Sequence, residues 1–199
     1  MKATNPKIFG LILAGGHSRR MGQDKALLEF NGKPQVEYIN DLLEKYCSKV
    51  FLSKRNDQKT YKNLPCINDA EEFSNHGPIG GILSAMKEYP DVSWLVIACD
   101  LPFITEETVQ TLLLRQDPQK IATAFISTQD KLPEPLCAIW EGHAYGSILE
   151  LFKEGIHCPR KILIKSNAHL LKQTNPHWLD NINTPQEYEE AKSTNPSLN

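Results

Sequence analysis

Short apolar runs alternate with amphipathic stretches along this chain, and each pattern predicts a different kind of element. Residues 8–14 and 94–99 are almost wholly apolar, as expected for strands that are buried on both faces. Residues 49–53 and 121–126 are weaker strand candidates. Amphipathic spacing and helix-start signals predict helices over four segments: residues 35–47, 79–89, 106–115 and 185–191. Because strands and helices alternate, we expect an α/β fold of three layers, with a mostly parallel central sheet between the helices.

Three residues mark where predicted helices begin. Thr105 and Thr184 stand directly before helical patterns, and threonine is a favoured N-cap. Pro34 is expected within the first turn of the first helix, a position that tolerates proline. No repeat or linker interrupts the pattern, so the chain is expected to form a single domain over residues 1–199, with a frayed polar tail at 193–199.

Composition and charge narrow the class of protein. With 199 residues, 40% hydrophobic and 23% charged, the chain is long enough to bury a core without disulfide staples. Its formal net charge of -2 argues against nucleic acid as a general electrostatic partner. Five scattered cysteines suggest neither a disulfide framework nor a thiolate zinc site, and they fit a reducing, cytoplasmic location. The apolar run at residues 8–14 is too short to span a bilayer, so no membrane association is expected.

The segment after the first predicted strand concentrates residues that suit phosphate binding. In a parallel sheet, ligands bind beyond the carboxyl ends of the strands. Gly15 and Gly16 let a backbone approach a ligand closely, and Arg20 and Lys25 supply positive charge nearby. This combination suits a polyphosphate, and the alternative is a glycine-rich turn with solvated basic side chains. Of two adjacent arginines, Arg20 is the better candidate than Arg19.

Acidic and amide side chains follow other predicted elements. Asp100 comes directly after the run at residues 94–99, so its carboxylate is expected at the same edge, as a hard oxygen ligand for Mg²⁺. The alternative for Asp100 is an ordinary turn residue. Asp69 follows a shorter strand-like piece, and Asn183, which opens the last helix, is either an oxygen ligand or a turn residue.

Glycine and proline shape two further segments. Residues 77–81 read Gly-Pro-Ile-Gly-Gly at the start of a predicted helix. These glycines have two alternative interpretations: close packing of the helix on the sheet, or contact with a ligand. Glu134 has proline on both sides, which restricts the backbone and predicts a shaped loop.

Together these motifs resemble the signature of the molybdenum cofactor guanylyltransferases, within the nucleotidyltransferase superfamily. The first motif has the form Leu-Ala-Gly-Gly-x-Ser-x-Arg-Met-Gly-x-Asp-Lys over residues 13–25, a pattern specific to nucleotidyltransferases. Later pieces follow in the order of the family: Asp69, Gly77-Pro78-x-x-Gly81, Cys99-Asp100-x-Pro102-Phe103, Glu134-Pro135-Leu136 and Asn181-x-Asn183-Thr184-Pro185. The similarity covers residues 8–191 and implies a Rossmann-like fold of the GT-A type.

The resemblance implies an enzyme that joins GMP from GTP to molybdopterin bearing molybdenum, with release of pyrophosphate. By that similarity, Mg²⁺ is the cofactor, held by Asp100, with Asn183 as a further contact to metal or substrate. Arg20 and Lys25 would stabilise charge on the phosphates together with Asp100 and its metal. The implied nucleotide-binding set is Leu13, Ala14, Gly15, Gly16, Lys25, Ser53, Asp69 and Asp100. Ser53 stands where the family often carries asparagine, which leaves recognition of the base or ribose open.

Three alternatives stand beside this interpretation. A related nucleotidyltransferase would use CTP or another phosphorylated acceptor. A non-catalytic nucleotide-binding protein would be expected to lack Lys25 or Asp100, and both are present. A nicotinamide-dependent oxidoreductase is disfavoured because the sequence has no GxGxxG.

The location of the pterin is predicted from charge. It is expected at residues 134–161, because Arg160 and Lys161, with Lys165 nearby, add positive charge there. Transient contacts with molybdenum-insertion and acceptor proteins are implied by the family alone.

Overall fold

A computed structural model describes residues 7–14, 25–30, 32–54, 64–182 and 184–194. Nine strands lie in these ranges: β1 (Ile8–Leu13), β2 (Glu29–Phe30), β3 (Lys33–Pro34), β4 (Val50–Lys54), β5 (Cys66–Asn68), β6 (Ser93–Ala98), β7 (Ala122–Ile126), β8 (Pro133–Trp140) and β9 (His169–Lys172). Six α-helices accompany them: α1 (Gln35–Glu44), α2 (Pro78–Glu88), α3 (Glu106–Leu114), α4 (Tyr145–Lys153), α5 (Pro159–Lys165) and α6 (Pro185–Thr194).

Seven of the strands form one central sheet in the order β5-β4-β1-β6-β8-β7-β9, with helices on both sides. The pairs β5–β4, β4–β1, β1–β6 and β7–β9 are parallel. β8 is antiparallel to both of its neighbours, β6 and β7. The expected mostly parallel α/β sheet is therefore confirmed, with one antiparallel strand inserted near its middle.

This topology brings one end of every strand that carries a candidate residue to the same edge of the sheet. β1, β4, β5 and β6 are mutually parallel, so their carboxyl ends share that edge. β8 runs the other way, so its amino end, with Glu134, lies there too. We call this the carboxyl edge of the sheet.

Two apolar clusters hold the described elements together. The larger one is centred on the middle strands, where Leu11, Ile12, Leu95 and Ile97 are completely buried. Since both faces of these strands are covered, they are almost continuously apolar, which is the pattern seen in the sequence. A smaller cluster, which we call the minor cluster, consists of Leu28, Phe30, Ile182 and Ala191, with Phe103 and Tyr188 packed against it.

The predicted helix starts are largely confirmed. Thr108 Oγ1 accepts the N–H of Thr105 at 3.2 Å, within a capping box at the start of α3. Thr184 and Glu187 make the equivalent reciprocal pair at α6, since Thr184 Oγ1 accepts the N–H of Glu187 at 3.2 Å. Pro34 lies one residue earlier than predicted: it is the N-cap of α1 and pairs in β3, outside the first turn.

Three predicted boundaries are corrected. The first helix ends at Glu44 and not at residue 47, because a turn carries the chain into β4. The last helix continues to Thr194, so the first two residues of the predicted frayed tail are helical, and the rest of that tail lies outside the described residues. Glu134 lies within β8 and not in a loop: the pairing of β7 with β8 shifts register between Ala124 and Phe125, an irregularity that accommodates the flanking prolines.

Within the described ranges, none of the helices is long and apolar enough to cross a membrane.

Candidate active site

The end of β1 is held directly against the end of β6. Leu13 pairs with Ser53 on one side and with Ala98 on the other. Beyond the last pair, the N–H of Cys99 donates to the carbonyl of Leu13 at 3.2 Å. Leu13 immediately precedes the glycine motif in sequence, and Cys99 immediately precedes Asp100. The two segments predicted to bind phosphate and metal therefore leave the sheet side by side.

The first turn of α2 approaches this edge very closely. A Cβ atom at Gly81 would lie 2.2 Å from Ser53 Oγ and 3.2 Å from Leu13 Cδ2, so only glycine fits without a shift of its neighbours. A Cβ at Gly80 would lie 2.3 Å from the carbonyl oxygen of Phe73. Close packing of the helix on the sheet, one of the two interpretations of residues 77–81, is thus confirmed.

Ser53 is buried beneath this helix. Its exposed fraction is 4%, and its hydroxyl faces the backbone of Gly81. The small serine side chain is compatible with the close approach of α2. A role for Ser53 in recognising a base or ribose stays a prediction.

Asp69 lies beside the same first turn of α2. It follows β5, its N–H donates to the carbonyl of Lys54 at 3.3 Å, and it is 9% exposed. Its Oδ2 lies 3.8 Å from the position that a Cβ at Gly80 would occupy. Ser84 locks the neighbouring chain, because its Oγ accepts the N–H of Ala70 at 2.8 Å and donates to the carbonyl of Gly80 at 2.7 Å. The backbone at Asp69 is therefore held at the carboxyl edge, with the residue largely buried beside α2.

Three backbone carbonyls hold the segment that carries Asp100. The N–H of Ile182 donates to the carbonyl of Asp100 at 3.0 Å. The side chain of Gln35 donates to the carbonyl of Leu101 at 3.0 Å, and the hydroxyl of Tyr38 donates to that of Ile104 at 3.0 Å. Ile182 directly precedes Asn183 in the sequence, so this bond holds the residue before Asn183 against the Asp100 segment. The spacing of the motifs did not reveal this contact.

Glu134 adds a second carboxylate to the Asp100 side of the edge. Burial raises the pKa of Glu134, and Arg160 opposes this rise because its Nη2 lies 2.9 Å from Glu134 Oε2. The negative charge of Asp100 acts in the same direction as burial on the pKa of Glu134. Arg160 also donates to Asp130 Oδ2 at 2.8 Å. The sequence marked Glu134 and Arg160 separately, but no spacing signal indicated that they pair.

Several predicted site residues lie outside the described residues. These are Gly15, Gly16, Arg20 and Asn183. Lys25 opens a short 3-10 helix, Lys25–Leu27, and its side chain is not described. The structure therefore assembles Leu13, Ala14, Ser53, Asp69 and Asp100 at one edge and leaves the other assignments as predictions.

The chemistry of the available ligands agrees with Mg²⁺. In the described part of the chain, no group of three or more histidine, cysteine, aspartate or glutamate side chains is placed to hold a metal ion. Magnesium does not need such a cage, because it commonly binds one or two carboxylates, substrate phosphates and water. Asp100 at a carboxyl edge fits an ion of that kind.

Comparison with known proteins agrees with this geometry. The sequence profile of the MobA-like NTP transferase domain matches residues 10–170. A Synechocystis protein named "Molybdenum cofactor biosynthesis bifunctional protein" is 41% identical over 184 residues, which is 91% of this chain and 52% of that protein. The chain thus spans about half the length of that relative. A Bacillus mycoides protein named "Probable molybdenum cofactor guanylyltransferase" is 29% identical over 94% of this chain and 96% of its own length.

A solved structure shows the same fold. The crystal structure of molybdopterin-guanine dinucleotide biosynthesis protein A from Archaeoglobus fulgidus superposes with a TM-score of 0.76 at 22% identity. The match covers 94% of this chain and 97% of that one.

Proposed function

This chain belongs to the MobA-like NTP transferase family, and from that membership we propose that it transfers GMP from GTP to molybdopterin bearing molybdenum. The products are the guanine dinucleotide form of the cofactor and pyrophosphate. One observation carries the proposal furthest: the bond from Cys99 N–H to the Leu13 carbonyl, at 3.2 Å, places the start of the glycine motif beside the start of the Asp100 segment. The names of the Synechocystis and Bacillus relatives support the choice of substrates.

The chemical step is a displacement at the α-phosphorus of GTP. A phosphate oxygen of molybdopterin forms the new P–O bond while the bond to the β-phosphate oxygen breaks, and pyrophosphate leaves with that electron pair. A phosphate nucleophile is already ionised near neutral pH, so the reaction requires no strong general base. The protein must instead align two polyanions and offset their repulsion.

The chain divides these tasks between the two adjacent segments. Lys25 and Arg20 would bind the triphosphate oxygens and stabilise charge on the departing pyrophosphate. Asp100, with Asn183, would hold Mg²⁺, which supplies positive charge to the phosphates when it is bound. Both tasks are served at the carboxyl edge, where phosphate ligands of α/β proteins commonly bind.

The nucleoside would lie on the side of the edge formed by β1, β4 and β5. Leu13, Ala14, Gly15 and Gly16 would contact the nucleotide through the backbone. Asp69 is fixed at 9% exposure beside the first turn of α2, a position suited to accept hydrogen bonds from a guanosine. Ser53 would contribute only through the small exposed part of its side chain.

The acceptor would lie on the opposite side of Asp100, next to β8 and α5. Glu134 and Arg160 form the wall there, joined at 2.9 Å. Lys161 and Lys165 are exposed on the same helix and add positive charge for a phosphorylated pterin. This location supports the assignment of residues 134–161 to the pterin. Transient binding of molybdenum-insertion and acceptor proteins, in the cytoplasm, belongs to the same proposal.

A substrate panel tests the proposal. Purified protein is incubated with Mg²⁺, molybdenum-loaded molybdopterin and, separately, GTP, CTP, UTP or ATP, and both pyrophosphate and the dinucleotide product are measured. We expect transfer with GTP. Preferential transfer from CTP would favour the related cytidylyl reaction, and absence of transfer from every nucleotide would overturn the proposal.

A further inference from the structure

Gln35, the first residue of α1, connects two segments of the proposed site. Its side chain is completely buried. Its backbone N–H donates to the carbonyl of Leu28 at 2.9 Å, and its side-chain Nε2 donates to the carbonyl of Leu101 at 3.0 Å. Leu28 lies three residues after Lys25, and Leu101 directly follows Asp100.

The amide of Gln35 is not explained by packing alone. Its Oε1 is buried and has no hydrogen-bond partner among the described residues. A buried polar atom without a partner destabilises the folded state, and an apolar side chain of similar size would avoid that cost. The orientation of the amide follows from its neighbour. Nε2 must face the carbonyl of Leu101, because a rotation of the amide by 180° would place Oε1 there, and two oxygen acceptors cannot form a hydrogen bond.

The apolar contacts around this bond join the same segments without fixing their separation, while the bonds from Tyr38 to Ile104 and from Ile182 to Asp100 hold the Asp100 segment at other points. Leu28 and Phe30 in the minor cluster follow Lys25, Phe103 follows Asp100, and Ile182 precedes Asn183. Apolar contacts of this kind are non-directional, so they hold the segments together without setting one exact separation. A hydrogen bond weakens steeply when its length or angle changes, so the bond from Gln35 adds that constraint.

We propose that Gln35 is a positioning residue that sets the placement of the Asp100 segment relative to the segment carrying Lys25. This inference rests on the proposed function, because it assigns the spacing a purpose: one segment binds the triphosphate and the other binds the metal that the triphosphate shares. Loss of the bond would change the distance between the triphosphate-binding segment and the metal-binding segment, without removing any group that touches the substrate.

Two substitutions at Gln35 and one control separate positioning from packing. Gln35→Met keeps the length of the side chain and removes the donor. Gln35→Glu keeps the shape and can donate only while its carboxyl is protonated. Asn40→Leu is the matched control, because Asn40 is a buried amide on the same helix, 9% exposed, whose Oδ1 also has no partner among the described residues.

The first measurement does not depend on turnover. Hydrogen–deuterium exchange is compared for peptides covering residues 26–34 and 99–105 in the free proteins. We expect faster exchange in both peptides for Gln35→Met and no change in them for Asn40→Leu. Unchanged exchange in Gln35→Met would overturn the inference whether or not the wild type transfers GMP.

The second measurement is GTP affinity with and without Mg²⁺. For Gln35→Met we expect the gain in affinity that Mg²⁺ provides to shrink on the order of tenfold, with little change in metal-free binding. An equal loss in Asn40→Leu would mean that the effect is general destabilisation, and would overturn the inference. If the wild type itself fails to bind GTP, the proposed function fails, and exchange alone decides the structural claim.

Gln35→Glu adds a dependence on pH that packing cannot mimic. Burial disfavours the charged form, so the pKa of the new carboxyl is expected to be raised. At low pH this variant should bind GTP with Mg²⁺ like the wild type, and as the pH rises through that pKa it should approach Gln35→Met. Behaviour that is independent of pH and equal to Asn40→Leu would contradict the proposed role.

Discussion

Arg160 in α5 donates a 2.9 Å hydrogen bond to Glu134 in β8, which lies at the carboxyl edge and interacts electrostatically with Asp100. The side chain of Glu134 is only 14% exposed, whereas that of Arg160 is 33% exposed. The ionised form of a carboxyl group this well buried is stabilised by its cation, because a buried negative charge without a partner would destabilise the folded protein.

Arg160→Met should therefore destabilise the protein in a manner that depends on pH. Burial raises the pKa of Glu134 and Arg160 opposes the rise, so removal of Arg160 raises the pKa of Glu134 further. A raised folded-state pKa means that stability is retained at low pH and is lost as the pH rises through it. We expect a loss of roughly 1–3 kcal/mol near neutral pH that becomes smaller under acidic conditions.

Urea unfolding of both proteins across a pH series measures this effect. The matched variant is Glu134→Gln combined with Arg160→Met, which removes the buried charge together with its partner and should recover part of the loss. A loss of equal size at every pH would contradict the role of Glu134 ionisation.

Asp100→Ala should abolish most of the turnover while leaving the fold intact. If Asp100 holds the metal that offsets phosphate charge, its loss should reduce the rate by about 10²–10³-fold or more. Asp91→Ala is the control, because Asp91 is exposed and lies before β6, at the opposite edge of the sheet. Near-normal transfer by Asp100→Ala in Mg²⁺ would end its assignment as a metal ligand.

The two glycines of α2 should differ in their tolerance of alanine. At Gly80 a Cβ would meet a backbone carbonyl at 2.3 Å, whereas at Gly81 it would meet a serine hydroxyl at 2.2 Å. A side chain can rotate and a backbone carbonyl cannot move freely, so Gly80→Ala should lower the free energy of unfolding more than Gly81→Ala. Ser53→Ala should partly rescue Gly81→Ala, because it removes the atom that clashes.

Gly146→Ala provides the matched comparison for these two variants. Gly146 lies in α4, and a Cβ there has no neighbour within 4 Å. Alanine should therefore leave stability unchanged or increase it by up to about 1 kcal/mol. Chemical denaturation of all the variants tests the order, and equal losses at residues 80, 81 and 146 would refute the packing argument.

Thiol labelling should single out Cys158. The five cysteines are all thiols outside any disulfide, and Cys158 is exposed while Cys47, Cys99 and Cys137 are buried. Burial raises the pKa of Cys47 to about 12 and also raises that of Cys137, so neither forms much thiolate near neutral pH. We expect a thiol reagent to modify Cys158 first, and the three buried thiols only upon unfolding. Persistence of the fast phase in Cys158→Ser would show that another thiol is accessible.

The features that local sequence predicted best are those with local causes. Residues 8–14 and 94–99 identified β1 and β6 because strands buried on both faces must be apolar. Thr105 and Thr184 marked helix starts because capping is a local interaction: Thr184 Oγ1 accepts the N–H of Glu187, and Thr105 forms a capping box with Thr108. Asp69 and Asp100 lie at the carboxyl edge, as their positions directly after predicted strands indicated, because the strands they follow are parallel.

What the tertiary structure decided depends on pairs that are distant in the chain. The antiparallel insertion of β8 follows from pairing with both β6 and β7, and it turned the predicted loop around Glu134 into a strand. The bonds from Arg160 to Glu134 and from Gln35 to Leu101 join residues 26 and 66 positions apart. Sequence by itself determined which segments are buried and which carry charge, since those properties reside in single side chains and short periods. Which charged group meets which partner was decided only by the folded chain, because hydrogen bonds require an orientation that composition and spacing do not contain.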